Sequence, residues 1–223
     1  MGGKNQIVGV IASGAALARA TRLRQPPDLF ELRLDALRNS LGAVEAALPR
    51  LRAPLLLTAR HPAEGGRAHL DAAARGGLLQ RFLAQADLVD LELRSVRQMP
   101  SLVAEIRRHK IKLIVSAHHL RETPSPNELR CQAQSALAAG AAIFKVAGRT
   151  DTPAQLTRLI DFLAENRRLL PLAVMGVGKL GLESRRRLSR LGSVLTYVSL
   201  DRAIVPGQPT LAQLRRARRA YII

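Results

Sequence analysis

Eight short apolar runs punctuate this chain, and that alternation constrains its fold more than any other feature. The runs are Ile7–Ala12, Leu29–Leu34, Pro54–Ala59, Leu88–Leu93, Ile111–Ala117, Ala141–Ala147, Leu170–Met175 and Ser193–Ser199. A longer stretch of helical composition follows each one, for example Ala72–Gln85, Glu128–Ala139 and Pro153–Asn166. Ser125 and Thr152 are suited to cap helix starts, with Pro153 in the first turn after Thr152, and Gly140 stands where a helix should stop. Between the runs there are no hairpin signals, so the strands should be parallel. An open doubly wound sheet of eight strands is the alternative, but closing the sheet on itself removes both exposed edges. The expected fold class is therefore α/β, a single (β/α)8 TIM barrel filling residues 1–223 as one domain, because no linker or composition break divides the chain.

The bulk properties exclude several classes. Hydrophobic residues make up 47% of the chain, which predicts a packed core rather than disorder. No apolar run approaches the roughly 18 residues of a membrane span, and Met1–Val10 lacks the form of a signal peptide. A single cysteine, Cys131, permits no intrachain disulfide, and no metal-ligand spacing occurs. These features predict a cytoplasmic protein without a metal centre. The net charge of +18 raises nucleic acid as a competing partner, but aromatic residues are only 3%, leaving few rings to stack on bases. A solvated arginine-rich surface is the preferred reading, with no specific nucleic-acid partner. A diffuse positive field would still draw in a small carboxylate substrate.

In barrels of this kind chemistry gathers where strands end. Period-two alternation puts Glu31, Arg33 and Asp35 on one face of the second run, and Asp90, Glu92 and Arg94 on one face of the fourth. Thr58 and Arg60 should point inward from the third. Buried charges must pair, so a network is expected. Inward ion pairs that merely fill the barrel explain Asp35, Asp90 and Arg94 at least as well; Glu31, Arg33 and Arg60 gather near one mouth and favour substrate or network contact. Lys145 sits inside the otherwise apolar sixth run. Desolvation there would release a free amine able to attack a carbonyl, although snorkelling or pairing with Glu92 would also account for it. His118 and His119 end the fifth run, where either can move protons. Glu64, in the loop after the third run, can fix a histidine tautomer. His61, His69 and His109 read as solvent-facing. The glycine-rich segment Met175–Gly181 is a weak candidate for a phosphate cradle.

Taken in order along the chain, these residues resemble the type I 3-dehydroquinate dehydratases. The resemblance is carried by Glu31–Asp35, Thr58–Arg60, Glu64–Gly66, Val89–Leu93, Ser116–His119 with Thr123–Ser125, Lys145, then Gly178, Gly181, Ser184 and Arg185, and finally Pro206–Gln208. It implies an imine mechanism: Lys145 attacks the ketone of 3-dehydroquinate, His118 transfers protons, and Glu64 orients His118. Arg185 would hold the substrate carboxylate, and Glu31, Arg33 and Arg60 would contact ring hydroxyls or hold the charge network. Gln208 would reach in from the last loop. It also implies the shikimate route to aromatic amino acids with neither metal nor organic cofactor, and suggests a homodimer. His118 is selected over His119 by its place after Ser116. Two departures stand out. Ile204 occupies a position where the family usually offers a serine hydroxyl, and little or no amino-terminal closing hairpin precedes the first run. The rival readings are a Schiff-base aldolase acting on a sugar phosphate, and a catalytically impaired homologue that binds anions.

Overall fold

The computed structural model of the protein describes residues 5–220, with side chains to residue 217. Its strands are β1 (Gln6–Ile11), β2 (Leu29–Arg33), β3 (Leu55–Thr58), β4 (Leu88–Glu92), β5 (Lys112–His119), β6 (Ile143–Arg149), β7 (Leu172–Val177) and β8 (Leu195–Ser199). All ladders are parallel, in the order β7-β6-β5-β4-β3-β2-β1-β8, with helices between successive strands. The seam between β7 and β8 is closed by isolated bonds: Val194 N–H donates to Leu172 O at 2.9 Å, and Val174 N–H to Ser193 Oγ at 2.9 Å. Eight parallel strands thus form the nearly closed (β/α)8 TIM barrel that the alternation predicts.

Strand parity sorts the apolar residues into two buried layers. Phe30, Leu57, Val89 and Val115 face the helices, while their neighbours Leu29, Leu56, Leu88 and Ile114 fill the barrel interior. Burying each such side chain contributes roughly 1.5–3 kcal/mol. Helix ends are satisfied as expected: Ser125 accepts from Glu128 N, Thr152 and Gln155 form a reciprocal capping box, and Gly140 takes a left-handed φ of 79°. No helix among the described residues is long and apolar enough to cross a membrane.

Strand ends differ from expectation in a consequential way. β2 stops at Arg33 and β4 at Glu92, and the short helices Leu34–Leu37 and Leu93–Val96 begin at once. Two-residue parity fails once the backbone coils, so Asp35 and Arg94 leave the barrel faces assigned to them. Asp35 is nonetheless buried beneath the mouth, whereas the Arg94 side chain is 54% exposed and so is not the inward charge expected. Conversely, β5 and β6 run on together, with His118 opposite Ala147 and His119 opposite Gly148. Each strand supplies the other's ladder partner, which holds both histidines in extended backbone.

Candidate active site

Lys145 projects from β6 into the barrel and is only 4% exposed. Its Nζ donates to Asp90 Oδ2 at 2.8 Å, lies 3.9 Å from Glu31 Oε1, and stands 4.2 Å from the centre of the Tyr197 ring. Burial depresses the amine's pKa below its ordinary value; Arg60 adds to that effect, while Asp90 and Glu31 oppose it. The side chain neither snorkels outward nor pairs with Glu92, which is taken by Arg60 and Arg75.

Arg60 is the hub of the charge network. Its guanidinium reaches Asp90 Oδ2 at 3.0 Å, Glu92 Oε1 at 3.0 Å, Ser116 Oγ at 2.9 Å and, at longer range, Glu31 at 3.9 Å. Burial alone would weaken its hold on the proton, but the carboxylates of Asp90, Glu92 and Glu31 raise its pKa above the ordinary value. Burial likewise opposes ionisation of Asp90, yet Arg60 and Lys145 hold its carboxyl well below the usual range. Thr58 Oγ1 donates to Glu31 Oε1 at 2.8 Å, and Ser116 Oγ to Asp90 Oδ1 at 2.5 Å. Arg33 grips Asp35 through two 2.9 Å bonds, and Asp35 also accepts from the backbone N–H groups of Arg60 and Arg67. Asp35 therefore braces the loop after β3.

His118 sits one strand from Lys145, and both line the same cavity of about 170 Å³ at the mouth. Glu64 Oε2 takes the His118 backbone N–H at 2.9 Å and faces Nδ1 at 3.0 Å. Arg60 Nη1 also approaches Nδ1, at 3.3 Å, but it is already committed to Ser116 and Glu92. The shorter, charge-assisted contact assigns the ring proton to Nδ1, leaving Nε2 as the free lone pair. Burial, Arg60 and Lys145 hold the imidazole's pKa well below 6.5, so it stays neutral. Glu64 is pushed up to about 7 by burial and by Glu92, against Arg60 and Arg94. Arg94 reaches Glu64 from outside, Nε to Oε1 at 3.0 Å. His119 Nε2 contacts Gln132 Oε1 at 3.1 Å instead, on the helix side of β5. Of the remaining histidines, His69 and His109 are exposed; His61 is half-buried, and its Nδ1 accepts from Ala63 N–H.

The opposite side of the mouth is apolar. Met175, Val177, Ile204 and Val205 line it together with Arg185 and Gln208. Arg185, from the helix Gly181–Leu191, is buried with only weak contacts: Met175 Sδ at 3.6 Å and Tyr197 O at 3.4 Å. Its Nε has no partner, and desolvation lowers its pKa to about 10. Gln208 is buried too, its Oε1 accepting from Ile204 N–H at 2.9 Å. The glycine-rich segment after β7 does not present a phosphate cradle. The N–H groups of Gly176, Gly178, Lys179, Leu180 and Gly181 are all bonded within the protein. Among the described residues no cluster of His, Cys, Asp and Glu is arranged to hold a metal ion.

The mouth brings together the residues to which the family resemblance gives catalytic or substrate-binding roles: Glu31, Arg33, Arg60, Glu64, His118, Lys145, Arg185 and Gln208 all line one cavity. Three participants went unrecognised or undervalued. Asp90 is the nearest carboxylate to Lys145 rather than mere filling. Arg75, fully buried, donates to Glu92 Oε2 at 3.0 Å and Ser95 Oγ at 2.9 Å; nothing in its helical sequence context distinguishes it from exposed arginines. Tyr197 shares the inward parity of Leu195 in β8, and that parity was the available signal.

Comparison with known proteins follows the same lines. The sequence profile of the family described as type I 3-dehydroquinase matches residues 11–222. A 3-dehydroquinate dehydratase of Pyrococcus abyssi is 33% identical over 190 residues, covering 84% of this chain and 85% of that protein. The chloroplastic bifunctional 3-dehydroquinate dehydratase/shikimate dehydrogenase of Arabidopsis thaliana is 32% identical over 192 residues; the match covers 84% of this chain but 32% of that longer protein. Among solved structures, the 3-dehydroquinate dehydratase of Geobacillus kaustophilus superposes with a TM-score of 0.86 at 26% identity, covering 98% of this chain and 91% of the other.

Proposed function

Since the chain belongs to the type I 3-dehydroquinase family, we propose that it is a hydro-lyase converting 3-dehydroquinate to 3-dehydroshikimate and water through an imine on Lys145. The observation that carries this reading is the buried amine of Lys145, its pKa depressed, in one cavity with the neutral imidazole of His118.

In this mechanism Lys145 Nζ attacks the C3 ketone, and loss of water gives an imine. Once protonated, the imine draws electrons from the ring and acidifies the C2 proton. His118 Nε2, bare because Glu64 anchors the proton on Nδ1, removes that proton. The C1 hydroxyl then leaves as water, taking a proton from the same imidazole, and hydrolysis of the imine releases the product. Arg185 binds the substrate carboxylate: a buried guanidinium with an unpartnered Nε and no carboxylate of its own is poised for a bidentate anion. Glu31 and Arg33 border the mouth and contact ring hydroxyls. Arg60 is committed to carboxylates and holds the network in place. Gln208 closes the site from the loop after β8.

The bonded N–H groups of the glycine-rich segment leave no seat for a phosphate, which weighs against a sugar-phosphate aldolase. The reading places the enzyme in the cytoplasm and in the route to aromatic amino acids, acting as a homodimer on a small carboxylate, with no cofactor. The test is turnover of 3-dehydroquinate, followed by the rise of conjugated-enone absorbance. Activity in the parent and none in Lys145→Ala is expected; no turnover in the parent would overturn the proposal.

A further inference from the structure

Within the mouth, one buried polar group remains without a role. Tyr197 lines the cavity, is 4% exposed, and its phenol oxygen is buried with no hydrogen-bond partner. An unsatisfied buried hydroxyl costs about 1–3 kcal/mol, so it persists only where something compensates for it. No bond runs from it to the nearby carboxylates: Glu31 Oε1 accepts from Thr58, and Asp90 accepts from Arg60, Ser116 and Lys145. No other residue lining the cavity carries a hydroxyl, and the loop after β8 offers Ile204 and Val205 there. The hydroxyl therefore has no acceptor inside the protein, while its ring lies against the amine at 4.2 Å.

We propose that Tyr197 is a further catalytic residue, whose phenol donates a hydrogen bond to the oxygen on the carbon that Lys145 attacks. This rests on the Lys145 imine reading given above. The geometry favours that oxygen over others on the substrate. A ring packed on Nζ carries its hydroxyl within a few ångströms of whatever carbon Nζ joins, and the carbonyl oxygen is the acceptor closest to that carbon. As the nitrogen lone pair forms the N–C bond, the π pair of the C=O moves onto oxygen. One amine proton and one proton from solvent water pass to that oxygen, the C–O bond breaks, and water departs to leave the imine nitrogen holding the second amine proton. Tyr197 keeps its own proton throughout and stabilises charge on the oxygen while it develops. Burial, with Glu31 and Asp90 nearby, raises the phenol's pKa well above 10, which keeps it a donor across the working range. After water has gone, the ring face remains beside the nitrogen and favours the cationic imine.

Tyr197→Phe removes the hydroxyl and keeps the ring, so it separates donation from packing. Rapid mixing with 3-dehydroquinate, quenching with borohydride and quantifying the Lys145 adduct by peptide mass gives the rate of imine formation. In Tyr197→Phe that rate is expected to fall about 10²-fold, the usual loss on removing one donor to a developing oxyanion. Thermal unfolding should be unchanged or raised, because an orphaned hydroxyl has been deleted. A change that merely loosened packing would lower the midpoint and would not single out imine formation. Trapping at equal rates in parent and variant would overturn the role of Tyr197 alone. No Lys145 adduct in the parent would instead overturn the imine reading and this proposal with it.

Discussion

The two halves of the mouth are built on opposite principles. On the β2–β5 side, Glu31, Arg60, Asp90, Glu92 and Ser116 form a buried network in which each group has partners. On the β7–β8 side, apolar Met175, Val177, Ile204 and Val205 surround polar atoms left unsatisfied, namely Arg185 Nε and Tyr197 Oη; Ser199 Oγ at the end of β8 is another. That network is nearly saturated: among its described buried side-chain atoms, Arg75 Nε alone lacks a partner. The network holds Asp90 and Arg60 against Lys145 and fixes the amine's electrostatic surroundings. An unsaturated wall, in contrast, keeps donors dry, and in the proposed mechanism their bonds are made to the substrate. On that proposal the difference separates scaffolding from binding surface within a single cavity.

That contrast can be broken or sharpened by substitution. The largest effect belongs to the amine between the halves: Lys145→Ala should lower kcat on the order of 10⁵–10⁶-fold, the scale of a lost covalent nucleophile, by enone absorbance. His118→Ala should cost about 10²–10⁴-fold in kcat, while His119→Ala, removing a group bonded to Gln132, should change it only slightly. Equal losses would dissolve the distinction between the two histidines. Next comes the test of the halves themselves. Arg60→Met takes the shared cation from three buried carboxylates, Glu31, Asp90 and Glu92, and should destabilise the fold by about 3–5 kcal/mol in urea unfolding. Arg185→Met strands none, so stability should hold or rise while KM increases about 10–100-fold, equivalent to about 1.5–3 kcal/mol for a hydrogen-bonded charge. Comparable destabilisation by both would erase the contrast.

The smallest effect is on pH. Burial pushes the Glu64 pKa up to about 7, and its carboxylate is the charged acceptor that holds a proton on Nδ1 of His118 and leaves Nε2 bare. Protonation below that pH weakens the acceptor, so kcat/KM should rise through about pH 7 and level off above it. Glu64→Gln cannot titrate. Its rate should be lower at high pH, with this limb absent from the pH–rate profile.

The alternation of runs made the barrel legible, because eight parallel strands without hairpins have few other ways to bury their edges. Lys145 was legible for a related reason: a single charge in an apolar strand stands out against its neighbours. Parity failed just past the strands. Asp35 and Arg94 sit two residues beyond the ends of β2 and β4, where coiling turns one beneath the mouth and the other toward solvent. Partner choice was hidden more deeply. Whether Lys145 meets Asp90 or Glu92 depends on stagger across three strands, and sequence spacing within one strand does not record it. Tyr197 was readable as inward-facing, but the absence of an acceptor for its hydroxyl is a property of the assembled cavity.

The central claim is that the Lys145 amine forms the imine, and borohydride reduction in the presence of 3-dehydroquinate or its product tests it most directly. The account predicts one covalent adduct, mapping by peptide mass to Lys145 and absent from Lys145→Ala. No adduct, or one on Lys110, Lys112 or Lys179 with Lys145 unmodified, would contradict it.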